Sequence, residues 1–148
     1  MDSNPLHIIL ADDDESDRTN FREALEESKI KTTVHSVKDG VELMEHLTNE
    51  NNQVPHLLFL DLNMPCKNGL ACLKEIRAIE KLKDVAIAIY STSSYDKDIE
   101  ETFQHGANVY IRKPTDFNVL KQVLDKVLSA AKVYKDPPFS ISNFMYKV

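Results

Sequence analysis

Glycine is scarce in this chain, which has only Gly40, Gly69 and Gly106 among its 148 residues. Phosphate-binding loops of the Walker and dinucleotide types need closely spaced glycines, so this scarcity excludes both kinds of nucleotide site. Basic residues are also in deficit, because 18 Lys and Arg stand against 24 Asp and Glu and the net charge is −6. This balance argues against a large nucleic-acid-binding face, since such faces are rich in Lys and Arg.

Cysteine and long apolar segments are equally sparse. The two cysteines, Cys66 and Cys72, are too few for a disulfide scaffold. We expect free thiols in a reducing compartment, with pairing between the two as the alternative. No apolar run approaches the roughly 20 residues of a membrane helix, and the N-terminus lacks the basic-then-apolar order of a signal peptide. The five histidines show no metal-ligand spacing. These absences predict a cytoplasmic protein of one domain that does not associate with membranes.

The chain instead shows a regular alternation of apolar runs and helix-period stretches. Strands are predicted for residues 7–11, 32–37, 57–60, 85–90 and 108–111, and helices for residues 16–28, 40–48, 69–79, 96–104 and 117–131. Ser16 is expected to cap the first helix. Such alternation predicts an α/β fold in which a parallel sheet carries helices on both faces.

Polar residues follow the predicted strands, where ligands of such sheets bind. The carboxylates of Asp12, Asp13 and Asp61 would meet at this edge and repel each other unless a cation neutralises them. An all-oxygen site with few protein carboxylates suits Mg²⁺. Ser91 and Lys113 add a hydroxyl and a positive charge for a bound anion. Together these groups predict a site at which Asp61 accepts a phosphoryl group.

Four motifs carry a resemblance to a known family: IILADDD at 8–14, FLDLNMP at 59–65, IYSTS at 89–93 and NVYIRKP at 108–114. In this combination they resemble the receiver domain of two-component response regulators over residues 6–131. Within that family the chain looks most like the stand-alone group that includes phytochrome-associated regulators. The resemblance implies a doubly wound (βα)5 flavodoxin-like sandwich with a five-stranded parallel sheet of order 2-1-3-4-5.

The resemblance also implies a metal site around a phosphoacceptor. Asp61 would accept the phosphoryl group and contact Mg²⁺. Asp13 would bind the cation directly, Asp12 through a water molecule, and Asn63 through its backbone carbonyl.

Three further residues would respond to the phosphoryl group by the same resemblance. Ser91, where the family more often has Thr, would move its hydroxyl onto the group, and Tyr110 would swing inward with it. Lys113 would contact the phosphoryl oxygens, and its bond to Pro114 would be cis. The donor would be a histidine kinase or a histidine phosphotransfer protein, and the output a changed surface on the fourth helix, fifth strand and fifth helix.

Two other functions compete with this phosphoacceptor hypothesis. A receiver-like interaction module that works without phosphorylation is one, although no acidic residue or Lys of the pattern is missing. A phosphatase of the haloacid dehalogenase type is the other, but it needs an acid two residues after the nucleophile, where this chain has Asn63. We therefore expect a signalling protein and not an enzyme, apart from self-phosphotransfer and autodephosphorylation.

The expected domain comprises residues 1–131, and residues 132–148 form a C-terminal extension too short for a separate output domain. We therefore expect action by contact, with no direct nucleic-acid binding. The extension is apolar near its end. Packing on its own domain or disorder competes there with a role in a homodimer or a partner contact.

Overall fold

The computed structural model describes residues 5–133 and 145–146. The α-helices within these residues are α1 (Glu15–Glu26), α2 (Gly40–Thr48), α3 (Gly69–Ala78), α4 (Asp96–Gln104) and α5 (Phe117–Val133), with a 3-10 turn at Glu80–Leu82. The strands are β1 (Leu6–Ala11), β2 (Thr32–Val37), β3 (Leu57–Leu60), β4 (Ala86–Ser91), β5 (Val109–Arg112) and β6 (Met145–Tyr146).

All strand pairs are parallel, and the sheet has the order β2-β1-β3-β4-β5-β6. The predicted order 2-1-3-4-5 is therefore confirmed. Beyond these five strands, the two-residue strand β6 pairs with β5 and places Tyr110 opposite Met145. Two residues are too short to show a strand periodicity in the sequence. The rest of the predicted extension after Val133 lies outside the described residues.

The central strand β3 is buried on both faces, and its alternating side chains enter two separate cores. Phe59 packs on the side of α1 and α5, where its ring meets that of Phe21 edge to face with centroids 4.7 Å apart. Leu58 and Leu60 enter the opposite core with residues of α2 and α3. Burial of each such large side chain contributes roughly 1.5–3 kcal/mol. These two cores hold the sheet edge on which the polar residues converge.

The start of α1 differs from the sequence prediction. Asp14, and not Ser16, is the N-cap, because its carboxylate accepts a hydrogen bond from Asp17 N at 2.9 Å. Both residue types favour this position, but only Asp14 stands where the backbone is still extended before the first helical turn. This cap fixes the first turn of α1 beside the end of β1.

A close approach of α3 to the end of β3 requires glycine at position 69. A Cβ atom on Gly69 would lie 2.2 Å from the backbone oxygen of Asp61. The glycine N–H also donates to Leu62 O at 3.0 Å. The loop after Asp61 is thereby packed against the first residue of α3, and this contact sets the position of the Asp61 backbone.

A half-buried arginine on α3 forms hydrogen bonds at the end of the sheet where β4 and β5 begin. Arg77 donates hydrogen bonds of 2.7–3.0 Å to three backbone carbonyls and one side-chain oxygen, namely those of Lys83, Val85, Gly106 and Asn108. Asn108 Oδ1 also accepts from Ile87 N at 2.9 Å. These contacts link α3 to the segments that precede β4 and β5.

Candidate functional site

Two carboxylates lie side by side because the hydrogen-bond ladder of the sheet continues past the strand ends. Asp12 N donates to Val37 O at 3.1 Å, and Asp61 N donates to Ala11 O at 3.0 Å. Both aspartates are buried, with 0% and 4% of their surface exposed. The side-chain oxygens of Asp12, the exposed Asp13 and Asp61 lie within 4.8 Å of one another. The three predicted carboxylates therefore do converge.

Lys113 enters this cluster from the end of β5. Its backbone N–H donates to Ser91 O at 2.8 Å, which fixes the residue next to β4. Its ammonium nitrogen lies 2.9 Å from Asp12 Oδ2 and 3.2 Å from Asp61 Oδ2. A third carboxylate, Asp17 Oδ2 on α1, lies 2.8 Å away.

The charges in the cluster are only partly balanced by Lys113. Burial raises the pKa of Asp12 to about 6, against the opposing effect of the Lys113 contact. Burial also raises the pKa of Asp61. For Lys113, burial acts to lower the pKa, but the close contacts of its ammonium with Asp17 and Asp12 outweigh it, so the net direction is upward. One cation is therefore not enough for the acids gathered here.

An oxygen of Asp12 is suited to a metal ion. Asp12 Oδ2 is buried and has no hydrogen-bond donor among the described residues, because its ion pair with Lys113 lacks hydrogen-bond geometry. A buried carboxylate is costly unless a cation compensates it, and the one ammonium beside Asp12 is shared with Asp17 and Asp61. Carboxylate oxygens of Asp12, Asp13 and Asp61 together form an all-oxygen set of the kind that hard divalent cations prefer. The residues present thus fit a divalent cation.

The hydroxyl side of the site is built by β4 and the loop that follows it. Ser91 is the last residue of β4, is fully buried, and its Oγ accepts a hydrogen bond from Ser93 N at 3.1 Å. Tyr110 Oη donates to the carbonyl of the same Ser93 at 2.9 Å. Ser93 Oγ in turn bonds to Asp98 on α4.

Tyr110 lies inside the protein. Its side chain belongs to the core beneath α3 and α4, and the residue is only 2% exposed. The inward swing of Tyr110 on phosphorylation stays a prediction. Burial raises the pKa of the phenol.

The other predicted site residues lie close to the cluster or border it. Asn63 donates its backbone N–H to Asp61 Oδ1 at 3.2 Å, which places this residue, two positions further along the chain, beside the carboxylate of the phosphoacceptor candidate. Asp17 is the residue that sequence reasoning missed. A usable signal existed, since an acid three residues after an N-cap lies in the first helical turn, next to the strand end.

Comparison with known proteins identifies this arrangement. The chain matches the family model of the response regulator receiver domain over residues 8–125. The chain belongs to the response regulator receiver family. It is 29% identical to the response regulator Rcp1 of Synechocystis sp. over 133 residues, which cover 86% of this chain and 90% of Rcp1.

Solved receiver structures agree in fold. A phosphorylated cyanobacterial phytochrome response regulator, RcpA, is 32% identical and superposes with a TM-score of 0.78, covering 84% of this chain and 91% of RcpA. The Mn²⁺-bound form of Rcp1 is 29% identical with a TM-score of 0.77, covering 84% and 93%. The predicted resemblance to receivers, and to phytochrome-associated regulators among them, is confirmed.

Among the described residues, none of the helices has both the length and the apolar character needed to cross a membrane. Receiver domains of this family act in two-component signalling and bind divalent cations, and the acidic cluster of this chain fits that property.

Proposed function

We propose that this receiver is a phosphorylation-dependent switch in which Asp61 accepts a phosphoryl group from a partner's phosphohistidine. The observation that carries the proposal is the contact of one half-buried lysine, Lys113, with Asp61 and Asp12 inside a carboxylate cluster. In the transfer, a carboxylate oxygen of Asp61 attacks phosphorus and forms a P–O bond while the P–N bond breaks. The imidazole nitrogen of the donor keeps the electron pair and takes up a proton.

The bound cation in this proposal is Mg²⁺. Asp13, Asp61 and the backbone carbonyl of Asn63 would hold it directly, and Asp12 through water. When bound, it neutralises the carboxylates and the charge of the incoming phosphoryl group. An all-oxygen donor set with few carboxylates favours Mg²⁺, which keeps several of its waters.

Two residues of this chain would then hold the phosphoryl oxygens. Lys113 already lies 3.2 Å from Asp61 Oδ2, so a short movement of its flexible side chain brings the ammonium to a group on that oxygen. Ser91 lies at the end of the neighbouring strand β4, and rotation of its hydroxyl away from Ser93 N frees it to donate to the phosphoryl group. A dianionic phosphoryl group attracts both donors.

The change would reach the surface through Ser93. Ser91 and Tyr110 both bond to the backbone of Ser93, and the side chain of Ser93 bonds to Asp98 on α4. When the Ser91 hydroxyl turns to the phosphoryl group, the β4–α4 loop loses the hydrogen bond from Ser93 N to Ser91 Oγ. We infer that the phosphoryl group changes the α4-β5-α5 surface by shifting this loop around an inward Tyr110.

The partner in this proposal is a histidine kinase or a histidine phosphotransfer protein in the cytoplasm. The protein acts by contact and does not bind nucleic acid directly. A homodimer stays a prediction, as does the division into a receiver domain at 1–131 and an extension at 132–148.

The test is phosphate uptake from acetyl phosphate with Mg²⁺. Wild type should gain one acid-labile phosphoryl group by intact-protein mass spectrometry, and Asp61→Asn should gain none. The matched control is Asp125→Asn, which changes an exposed aspartate on α5 and should leave uptake unchanged.

Two results would contradict the proposal. Labelling that survives Asp61→Asn would show that the phosphoacceptor is another residue. Failure of wild type to take up phosphate, together with a failure to bind beryllium fluoride in Mg²⁺, would favour the phosphorylation-independent interaction module instead.

A further inference from the structure

The ammonium of Lys113 has three N–H donors, and three carboxylates surround it. Asp17 Oδ2 lies 2.8 Å away, Asp12 Oδ2 2.9 Å and Asp61 Oδ2 3.2 Å. The contacts with Asp17 and Asp61 have hydrogen-bond geometry. The shortest of the three contacts is therefore made to Asp17, which belongs neither to the convergent metal-ligating group nor to the phosphoacceptor position.

The backbone holds both partners of this pair in place. Asp17 lies in the first turn of α1, and its N–H is bonded to the Asp14 cap at 2.9 Å. Lys113 is fixed at the end of β5 by the bond from its N–H to Ser91 O. The pair joins residues 96 positions apart in the sequence. Their contact is thus set by the fold and not by local chain geometry.

A bound cation would change the balance among the three carboxylates. The metal ion would partly neutralise Asp12 and Asp61, which weakens the electrostatic attraction of these two carboxylates for the Lys113 ammonium. The Asp17 side chain, about one-third exposed, lies outside the metal-ligating group, so its ion pair with Lys113 is not weakened in this way. When the site is loaded for phosphoryl transfer, Asp17 therefore becomes the main competitor for the ammonium.

We propose that Asp17 is a positioning residue that holds Lys113 and competes with the phosphoryl group for it, which sets how strongly the phosphorylated state is stabilised. This inference rests on the proposed function, because it needs Lys113 to contact a phosphoryl group on Asp61. Asp17 acts through Lys113 and does not touch the reacting atoms.

The test measures binding of beryllium fluoride, a phosphoryl mimic, at saturating Mg²⁺ by ¹⁹F NMR. Asp17→Asn should bind it roughly two- to five-fold more tightly, the size expected for loss of one partly exposed ion pair. Asp17→Glu, which restores the carboxylate, should return the Kd to the wild-type value. Glu15→Gln removes an exposed charge from the same helical turn and should leave the Kd unchanged.

A second measurement separates this role from a structural one. Mg²⁺ binding alone should not tighten in Asp17→Asn, because the lost charge lies near the acidic cluster. A variant that merely loosens α1 would bind beryllium fluoride more weakly and would not be rescued by Asp17→Glu.

Three results would overturn the inference. These are a Kd for Asp17→Asn equal to or weaker than wild type, an equal tightening in Glu15→Gln, or no rescue by Asp17→Glu. If wild type itself fails to bind beryllium fluoride with Mg²⁺, the proposed function fails, and this result is distinct from a failure confined to Asp17→Asn.

Discussion

Removing the charge of Asp12 should stabilise the metal-free protein. The carboxyl is fully buried, and burial raises its pKa from 3.8 to about 6. At about 1.4 kcal/mol per pKa unit, this rise means that ionisation of Asp12 costs the fold about 3 kcal/mol. Asn has nearly the same shape and no charge. We therefore expect Asp12→Asn to raise the free energy of unfolding at pH 7 by roughly 1–3 kcal/mol.

The pH dependence of this effect has a defined sign. Between about pH 4 and pH 6 the folded protein retains a proton on Asp12 that the unfolded chain has already released. The contribution of Asp12 to wild-type stability therefore falls as the pH rises through this window. Asn does not titrate, so the advantage of Asp12→Asn should be small near pH 4 and complete by about pH 7.

Urea unfolding followed by circular dichroism in EDTA, at about pH 4, 5.5 and 7, measures this difference. Asp125→Asn, the exposed control on α5, should change little at any of these pH values. Added Mg²⁺ should stabilise wild type more than Asp12→Asn, because ligand binding stabilises the folded state by mass action. The reasoning is refuted if Asp12→Asn is less stable than wild type in EDTA at pH 7, or if its advantage does not vary with pH.

Two further substitutions test how the fold supports the site. Arg77→Met should lower the free energy of unfolding by about 3 kcal/mol, since several partly buried acceptors lose a charged donor. Arg77→Lys should recover little of this lost stability. A loss under about 1 kcal/mol for Arg77→Met in urea unfolding would contradict this account. Gly69→Ala should weaken beryllium fluoride binding at saturating Mg²⁺, because its methyl group would collide with the Asp61 backbone. Asn68→Ala, which removes only the cap of α3, serves as its control, and equal binding by the two variants would argue against the close-approach explanation.

Much of the fold could be predicted from local pattern alone. The apolar run before Asp61 is buried on both faces and forms β3 with the predicted bounds, Leu57–Leu60. Helix α2 likewise begins at Gly40 and ends at Thr48 as predicted. These elements follow from periodicity because the apolar residues on one helix face, Leu43, Met44 and Leu47, and all four residues of β3 are buried.

The convergence of Asp12, Asp13 and Asp61 was also predictable, because parallel strands end at the same edge of a sheet. The place of Asp17 in the first turn of α1 could be predicted once Asp14 is taken as the cap, but its contact with Lys113, 96 residues further along the chain, could not. The same holds for Arg77, whose acceptors are backbone carbonyls that carry no residue signature.

The spacing of the histidines along the sequence also did not predict which of them lie close together in the fold. The rings of His35 and His46 stack with centroids 4.2 Å apart, and His7 N donates to the ring of His56 at 2.9 Å. These residues come from β1, β2, α2 and the segment before β3. Their proximity in the fold therefore does not follow from their spacing along the chain.

The pairing of β6 with β5 changes which backbone groups a partner could reach at that end of the sheet. An edge strand offers unpaired N–H and C=O groups as a template for strand addition. Here β6 takes up that template along Tyr110 and Ile111. A partner that binds this end by extending the sheet must either displace β6 or add to β6 itself. Recognition of β5 by backbone pairing is thus coupled to the position of Met145 and Tyr146.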